Sequence, residues 1–139
     1  MNVMSWCIAA AAGSMLGGCQ LVQQLEPDGL RCDLPRVGNS VSIDIRYAAD
    51  GTPSAVPDEC TVPPDTRIVW RGPAGNATPF TLTFPGGSPA ARGGRGPLPS
   101  HESGGVQKVV LVTSAEDGRY KYDIAANGRV VDPAIIIKR

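Results

Sequence analysis

Val41-Ser-Ile-Asp-Ile-Arg-Tyr47 alternates without a break: Val41, Ile43, Ile45 and Tyr47 fall on one side, Ser42, Asp44 and Arg46 on the other. Successive side chains of a strand point to opposite faces, so a strict period of two predicts a half-buried β-strand. Asp50-Gly51 supplies the turn that ends it. The same reading extends outward in both spacing and punctuation. Thr66-Arg-Ile-Val-Trp-Arg71 is a second strand, stopped by Gly72-Pro73, and Phe80-Thr-Leu-Thr-Phe84 alternates again. Gln107-Lys-Val-Val-Leu-Val-Thr113, Tyr120-Lys-Tyr-Asp-Ile-Ala-Ala126 and Ala134-Ile-Ile-Ile-Lys138 complete the set. Asp117-Gly118 precedes the second of these, and Asn127-Gly128, a strong hairpin signal, follows it. Residues 55–64 hold three prolines and Cys60 and read as an irregular edge segment. Residues 85–105, rich in Gly, Pro and Ser, read as a long mobile loop, because so little apolar surface cannot offset the entropy of ordering.

Six or seven short strands, hairpin turns and no helical periodicity predict an all-β fold, a small antiparallel β-sandwich over residues 40–139. The 139 residues carry 13 basic and 13 acidic side chains, all beyond residue 18. A balanced charge gives no electrostatic footprint for nucleic acid.

The strands carry a resemblance. Pro64-Asp-Thr-Arg-Ile-Val-Trp70, a spacer and Phe80-Thr-Leu-Thr-Phe84 resemble the cupredoxin pattern, in which a Gly-Asp-x-Val-x-Trp strand leads to a His-x-Val-x-Phe strand. Gly118-Arg-Tyr-Lys-Tyr122 resembles the Gly-x-Tyr-x-Tyr/Phe strand that precedes the cupredoxin Cys. The resemblance implies a Greek-key sandwich and, in family members, a copper held by two His, one Cys and a weak axial Met. This chain departs from that ligand set. Phe80 stands where the first His would fall, Ile124 where the Cys would fall and Asn127 in place of the second His, and no Met follows Met15. The expectation is a cupredoxin-like fold with no copper and no other cofactor. A metal-handling or redox protein with a degenerate site is the alternative.

A second resemblance concerns location. Residues 3–16 are apolar but too short to span a bilayer, which takes roughly 20 such residues. They match the hydrophobic core of a signal peptide. Leu16-Gly17-Gly18-Cys19 at its end resembles the bacterial lipobox, although no Lys or Arg precedes the apolar run. The resemblance implies cleavage before Cys19 and a diacylated sulfur, hence residues 1–18 as signal, 19–39 as lipidated Cys and tether, and the lipid bilayer as partner. Gln20 after the Cys points to the outer membrane, facing the periplasm. An ordinary secretory signal that contains Cys is the other reading. Under the lipobox, Cys7 leaves with the signal and Cys19 takes the lipid, so Cys32 and Cys60 are expected to form a disulfide in an oxidising compartment. A metal or redox pair is the rival, disfavoured by a single His and the absence of CxxC spacing.

No catalytic constellation stands out, and the chain is expected not to be an enzyme. Ser100-His101-Glu102 holds the residue types of a triad, but as sequence neighbours in a loop they are not preorganised. Asp58-Glu59 and Glu116-Asp117 are acids at turns, and Asn76-Ala-Thr78 is a sequon by form only. Gly93-Gly94-Arg95-Gly96 lacks the strand-to-helix context of a phosphate loop. Trp70, Tyr120 and Tyr122 suit core packing better than a binding face. The functional expectation is a membrane-anchored, non-catalytic binding or structural module of the cell envelope.

Overall fold

The computed structural model describes residues 28–90, 96–114 and 116–139. The proposed signal 1–18, the acylation candidate Cys19 and the tether as far as residue 27 lie outside them. The described chain is all β. Its strands are β1 (Leu30–Arg31), β2 (Ser40–Tyr47), β3 (Pro53–Val56), β4 (Glu59–Val62), β5 (Arg67–Arg71), β6 (Thr81–Thr83) and β7 (Leu98–Pro99). β8 (His101–Ser103), β9 (Val106–Val112), β10 (Gly118–Lys121), β11 (Asp123–Ala126), β12 (Arg129–Val131) and β13 (Ala134–Ile137) follow.

The largest sheet runs β1-β2-β5-β9-β8, with β3 also on β2. The face predicted by alternation in β2 is the inner one: Val41, Ile43 and Ile45 are buried, and in β5 Ile68, Val69 and Trp70 are all buried. Against it pack a four-stranded sheet, β12-β11-β6-β7, and a three-stranded one, β10-β13-β4. These two share the run 118–126, interrupted only at Tyr122, whose backbone N–H donates to the Pro133 carbonyl at 3.0 Å. The sandwich expected from the sequence is therefore present. Among the described residues three pairings are parallel rather than antiparallel: β1 with β2, β2 with β5, and β4 with β13. The reason is topological. After β3 the chain leaves the large sheet, adds β4 to the three-stranded sheet and returns as β5, a crossover that brings it back beside β2 in the same direction.

Two expectations are corrected. Residues 55–64 are not irregular: β3 and β4 occupy most of the segment, with the cis Val56–Pro57 peptide between them. Residues 85–105 are not one loop. β7 pairs with β6, and β8 folds back on β9 through Gly104 and Gly105, both at positive φ. A strand added to an existing edge is held by backbone bonds, such as Ser100 N–H to the Phe80 carbonyl at 2.8 Å, and needs little apolar surface of its own. Residues 91–95 lie outside the described residues. Leu30–Arg31, inside the stretch assigned to the tether, also joins the large sheet.

Cys32 and Cys60 form a disulfide, with Cα atoms 5.8 Å apart. It joins the chain just after β1 to β4, and so staples the large sheet to the three-stranded one. The core between the layers centres on Trp70, Phe84 and Tyr122. Trp70 meets Tyr122 edge-on at 5.5 Å and Phe84 at 6.4 Å, and its Nε1–H donates to the Tyr122 hydroxyl at 3.0 Å. Burial drives the Tyr122 phenol far above the usual tyrosine range, only partly opposed by the bond from Trp70. Burial raises Tyr47 as well, and its hydroxyl has no partner among the described residues.

A phenol whose pKa is raised by folding stays protonated in the native state where the unfolded chain ionises, from about pH 10. Its contribution is complete below that pH and declines as pH rises toward the folded value. Tyr122→Phe should lower unfolding free energy at neutral pH by about 1–3 kcal/mol, because the buried indole N–H loses its acceptor. The variant should also show a shallower loss of stability above pH 10 in urea titrations. An unchanged alkaline slope would contradict this role for Tyr122.

Candidate functional site

The most concentrated polar arrangement lies where the N-terminal strap crosses the outer face of the large sheet. Gly29 sits at φ +81°, and a Cβ there would run into the Ser40 carbonyl, so only glycine lets the strap lie this close. The Ser40 hydroxyl donates to the Asp28 carbonyl at 3.1 Å, and Cys32 N–H to the Ser42 carbonyl at 2.8 Å. The Asp28 carboxylate is only 4% exposed. Lys108 Nζ stands 2.8 Å from it, Arg67 Nη1 3.8 Å and Arg71 Nη1 3.9 Å.

The sheet register explains why three cations meet one acid. Arg71 of β5 lies opposite Lys108 of β9, and Arg67 lies two outward steps away on the same strand, beyond Val69. Arg71 is also 3.3 Å from Asp44. A carboxylate taken out of water needs such partners, since an unpaired buried charge costs several kcal/mol. An open cleft of about 550 Å³ adjoins the cluster, lined by Asp28, Arg67, Lys108, His101, Leu98 and Val110 among others. No reacting pair is set up here. The arrangement binds the strap to the sheet and leaves a basic rim.

The three positions that the cupredoxin resemblance assigns to copper ligands are otherwise employed. Phe80 and Ile124 are buried core side chains, and Asn127 occupies a turn at φ 55°, its amide donating to the Gly51 carbonyl at 2.9 Å. A phenyl ring, an aliphatic chain and a bonded carboxamide supply none of the imidazole and thiolate donors of a trigonal copper site. These residues do not fit that metal. Cys60 is bonded to Cys32, and His101 is exposed on β8. Among the described residues no group of three or more His, Cys, Asp and Glu side chains is placed to hold a metal ion.

The other candidates take structural roles. The Ser100 hydroxyl donates to Gln107 Oε1 at 2.6 Å and accepts from Phe80 N–H at 3.0 Å. Glu102 caps the β8–β9 turn by accepting from Gly105 N–H at 2.7 Å, so Ser100, His101 and Glu102 form no relay. Asn76 accepts from Thr78 N–H at 2.8 Å in a local turn. Glu59 pairs with Arg119 at 2.6 Å and Asp117 with Arg139 at 2.7 Å. Trp70 and Tyr122 are core, as packing predicts, while Tyr120 is half-buried. The glycine run 93–95 lies outside the described residues. Asp28 had no signal in the sequence beyond the polar stretch around it; only the strap's placement reveals it.

No protein-family model matches the chain, and no curated protein matches it in sequence. Among solved structures the chain is similar to a reduced copper(I) form of an amicyanin variant, at 15% identity over 82% of this chain and 95% of that one, with a TM-score of 0.45. It is also similar to auracyanin B, at 14% identity over 81% and 97% of the two chains, with a TM-score of 0.41. Likeness at this level bears on neither ligand nor activity.

Asp28→Asn should release the strap. With one partner of the buried cluster lost, unfolding free energy should fall by about 1–3 kcal/mol. Limited proteolysis should then cut ahead of Cys32 sooner than in the parent. Asp33→Asn, which removes an exposed pair with Arg31, is the control and should change neither measure. Equal behaviour of the two variants would show that Asp28 does not hold the strap.

Proposed function

We propose that the chain is a lipid-anchored protein of the bacterial cell envelope, in which a copper-free, cupredoxin-like sandwich acts as a non-catalytic binding or structural module. Cys19 carries the acyl groups, and the domain faces the periplasm from the outer membrane. The observation that carries this reading is how the four cysteines divide. Cys7 lies within the apolar run, Cys19 closes it behind Leu16-Gly17-Gly18, and Cys32 and Cys60 are bonded to each other. A stapling disulfide suits an oxidising compartment such as the periplasm. Two acyl chains on one sulfur suffice for stable anchoring, where a single chain gives only marginal binding.

The cupredoxin-like part of the reading draws on where the resembling residues fall. Thr66-Arg-Ile-Val-Trp70 leads into β5, Phe80-Thr-Leu-Thr-Phe84 contains β6, and Gly118-Arg-Tyr-Lys-Tyr122 contains β10. What supports the copper-free reading is the side chains at the positions that the resemblance assigns to ligands. A non-catalytic role agrees with Ser100, Glu102 and the acid pairs being used in turns and ion pairs.

Expressed with its own N-terminus, the parent chain should be processed and remain with the membrane fraction until detergent is added. Cys19→Ser should appear as soluble protein or as uncleaved precursor. A processed Cys19→Ser protein that still requires detergent would overturn the anchor. The parent, dialysed against chelator, should retain no stoichiometric copper and show no thiolate charge-transfer band, whereas one tightly held equivalent would overturn the copper-free assignment.

A further inference from the structure

We infer that the Cys32–Cys60 bond is a thiol-exchange site, opened at Cys32 by an external dithiol, and that its opening frees residues 28–39 and lengthens the tether to the membrane without unfolding the sandwich. The lengthening rests on the anchor proposed above; the exchange and the release of the strap do not. The first ground is how unequally the two cysteines are placed. Cys60, within β4, is 1% exposed, whereas Cys32 is only partly buried and is followed by residues 33–39, all exposed. Exchange needs access for the attacking thiolate, so Cys32 Sγ is the sulfur within reach.

The second ground is that the interior does not use the strap. Trp70, Phe84, Tyr122 and the aliphatic side chains packed with them all lie at or beyond Val41, and from the strap only Cys32 packs against them. Leu30, Leu34 and Val37 are 43%, 44% and 68% exposed. The disulfide therefore fastens a segment that puts no large apolar side chain into the core.

The third ground is what else holds that segment. β1 contributes two register pairs, Cys32 N–H donates to the Ser42 carbonyl, the Ser40 hydroxyl donates to the Asp28 carbonyl, and cations surround the Asp28 carboxylate. These contacts open and reclose, and a Cys32 tied to β4 keeps each reclosure intramolecular. Without the bond, one opening frees the segment as far as Ser40, where β2 begins. The reach of the chain from Cys19 then grows from about 30 Å, for the nine residues to Asp28, to about 70 Å for the twenty-one to Ser40.

In the exchange, one thiolate of the dithiol attacks Cys32 Sγ. The bond to Cys60 breaks, and its electron pair leaves on Cys60 Sγ, which takes up a proton. The second thiol of the reagent then displaces Cys32 from the mixed disulfide, so the protein gains two thiols and the dithiol becomes a disulfide. An oxidoreductase bearing a CxxC pair is the class of partner with this chemistry.

The test uses the processed, lipidated chain in phosphatidylcholine vesicles, with dithiothreitol as the dithiol and glutathione, a monothiol, to trap the first step. After acid quenching, glutathione should be found on the Cys32 peptide and not on that of Cys60. On reduction the Cys32 amide should lose about tenfold more hydrogen-exchange protection than the Ile124 amide in the core. Trp70 is the single Trp of the processed chain, and its shielding from acrylamide should not change. Energy transfer to acceptor headgroups from a fluorophore attached at Ala125→Cys before reduction should fall. Cys32→Ser with Cys60→Ser should match the reduced protein, and its failure to fold would show that the sandwich needs the clasp. Glutathione on Cys60, a bond that dithiothreitol opens only in denaturant, equal loss of protection at both amides, or Trp70 open to acrylamide would each overturn the inference. Unchanged energy transfer with the protein still in the vesicle fraction would overturn the lengthening and leave the anchor standing. Protein absent from the vesicle fraction removes anchor and lengthening together, and exchange and quenching on the soluble chain then decide the release.

Discussion

The bond from Trp70 Nε1–H to the Tyr122 hydroxyl is the constraint around which this sandwich is arranged. A buried indole N–H and a buried phenol each need a partner, and here each satisfies the other across the layers. Trp70 lies within both the parallel and the antiparallel pairing of β5, so its position is fixed by both neighbours. Tyr122 is the point at which the run 118–126 passes from one small sheet to the other. With Phe84 packed on both rings, the pair sets how the two layers face each other. Slippage of either strand by one residue would bury a charged neighbour, Arg71 or Lys121, in place of the aromatic ring.

At the positions that the cupredoxin resemblance would assign to copper ligands, Phe80 and Ile124 are buried and Asn127 ties its turn to Gly51. What remains polar and organised is on the outside, where Asp28 meets Lys108, Arg67 and Arg71. The strap, the disulfide and the ion cluster all act on the same short stretch of chain, residues 28–32. A pull on the N-terminus would therefore be borne by a covalent bond between the two layers, and the sheets would not be peeled apart from β1.

Much of the architecture was legible from alternation, apolar runs and turn signals. In β2 and β6 the residues that a period of two puts on one face include the buried Ile43 and Leu82, and β5, β9 and β11 fall on stretches read as strands. The strands that escaped notice are short and broken up by proline or glycine, although Ala55 of β3 and Cys60 and Val62 of β4 do point into the core. β3 and β4 were hidden by prolines, and β7 and β8 by a Gly- and Pro-rich composition that resembles a free loop. The Cys32–Cys60 bond was reached only through the lipobox resemblance, which disposes of the other two cysteines. Asp28 could not have been singled out, because its importance comes from three cations on β5 and β9, between 39 and 80 residues further along the chain.

Mass spectrometry of the protein extracted from membranes tests most directly the proposed division of the cysteines between membrane and fold. Under non-reducing digestion the N-terminal peptide should begin at Cys19, with a mass increment for a diacylglyceryl group on sulfur. Cys32 and Cys60 should appear in one linked peptide pair. An N-terminus elsewhere, an unmodified Cys19, or free thiols at Cys32 and Cys60 would contradict it.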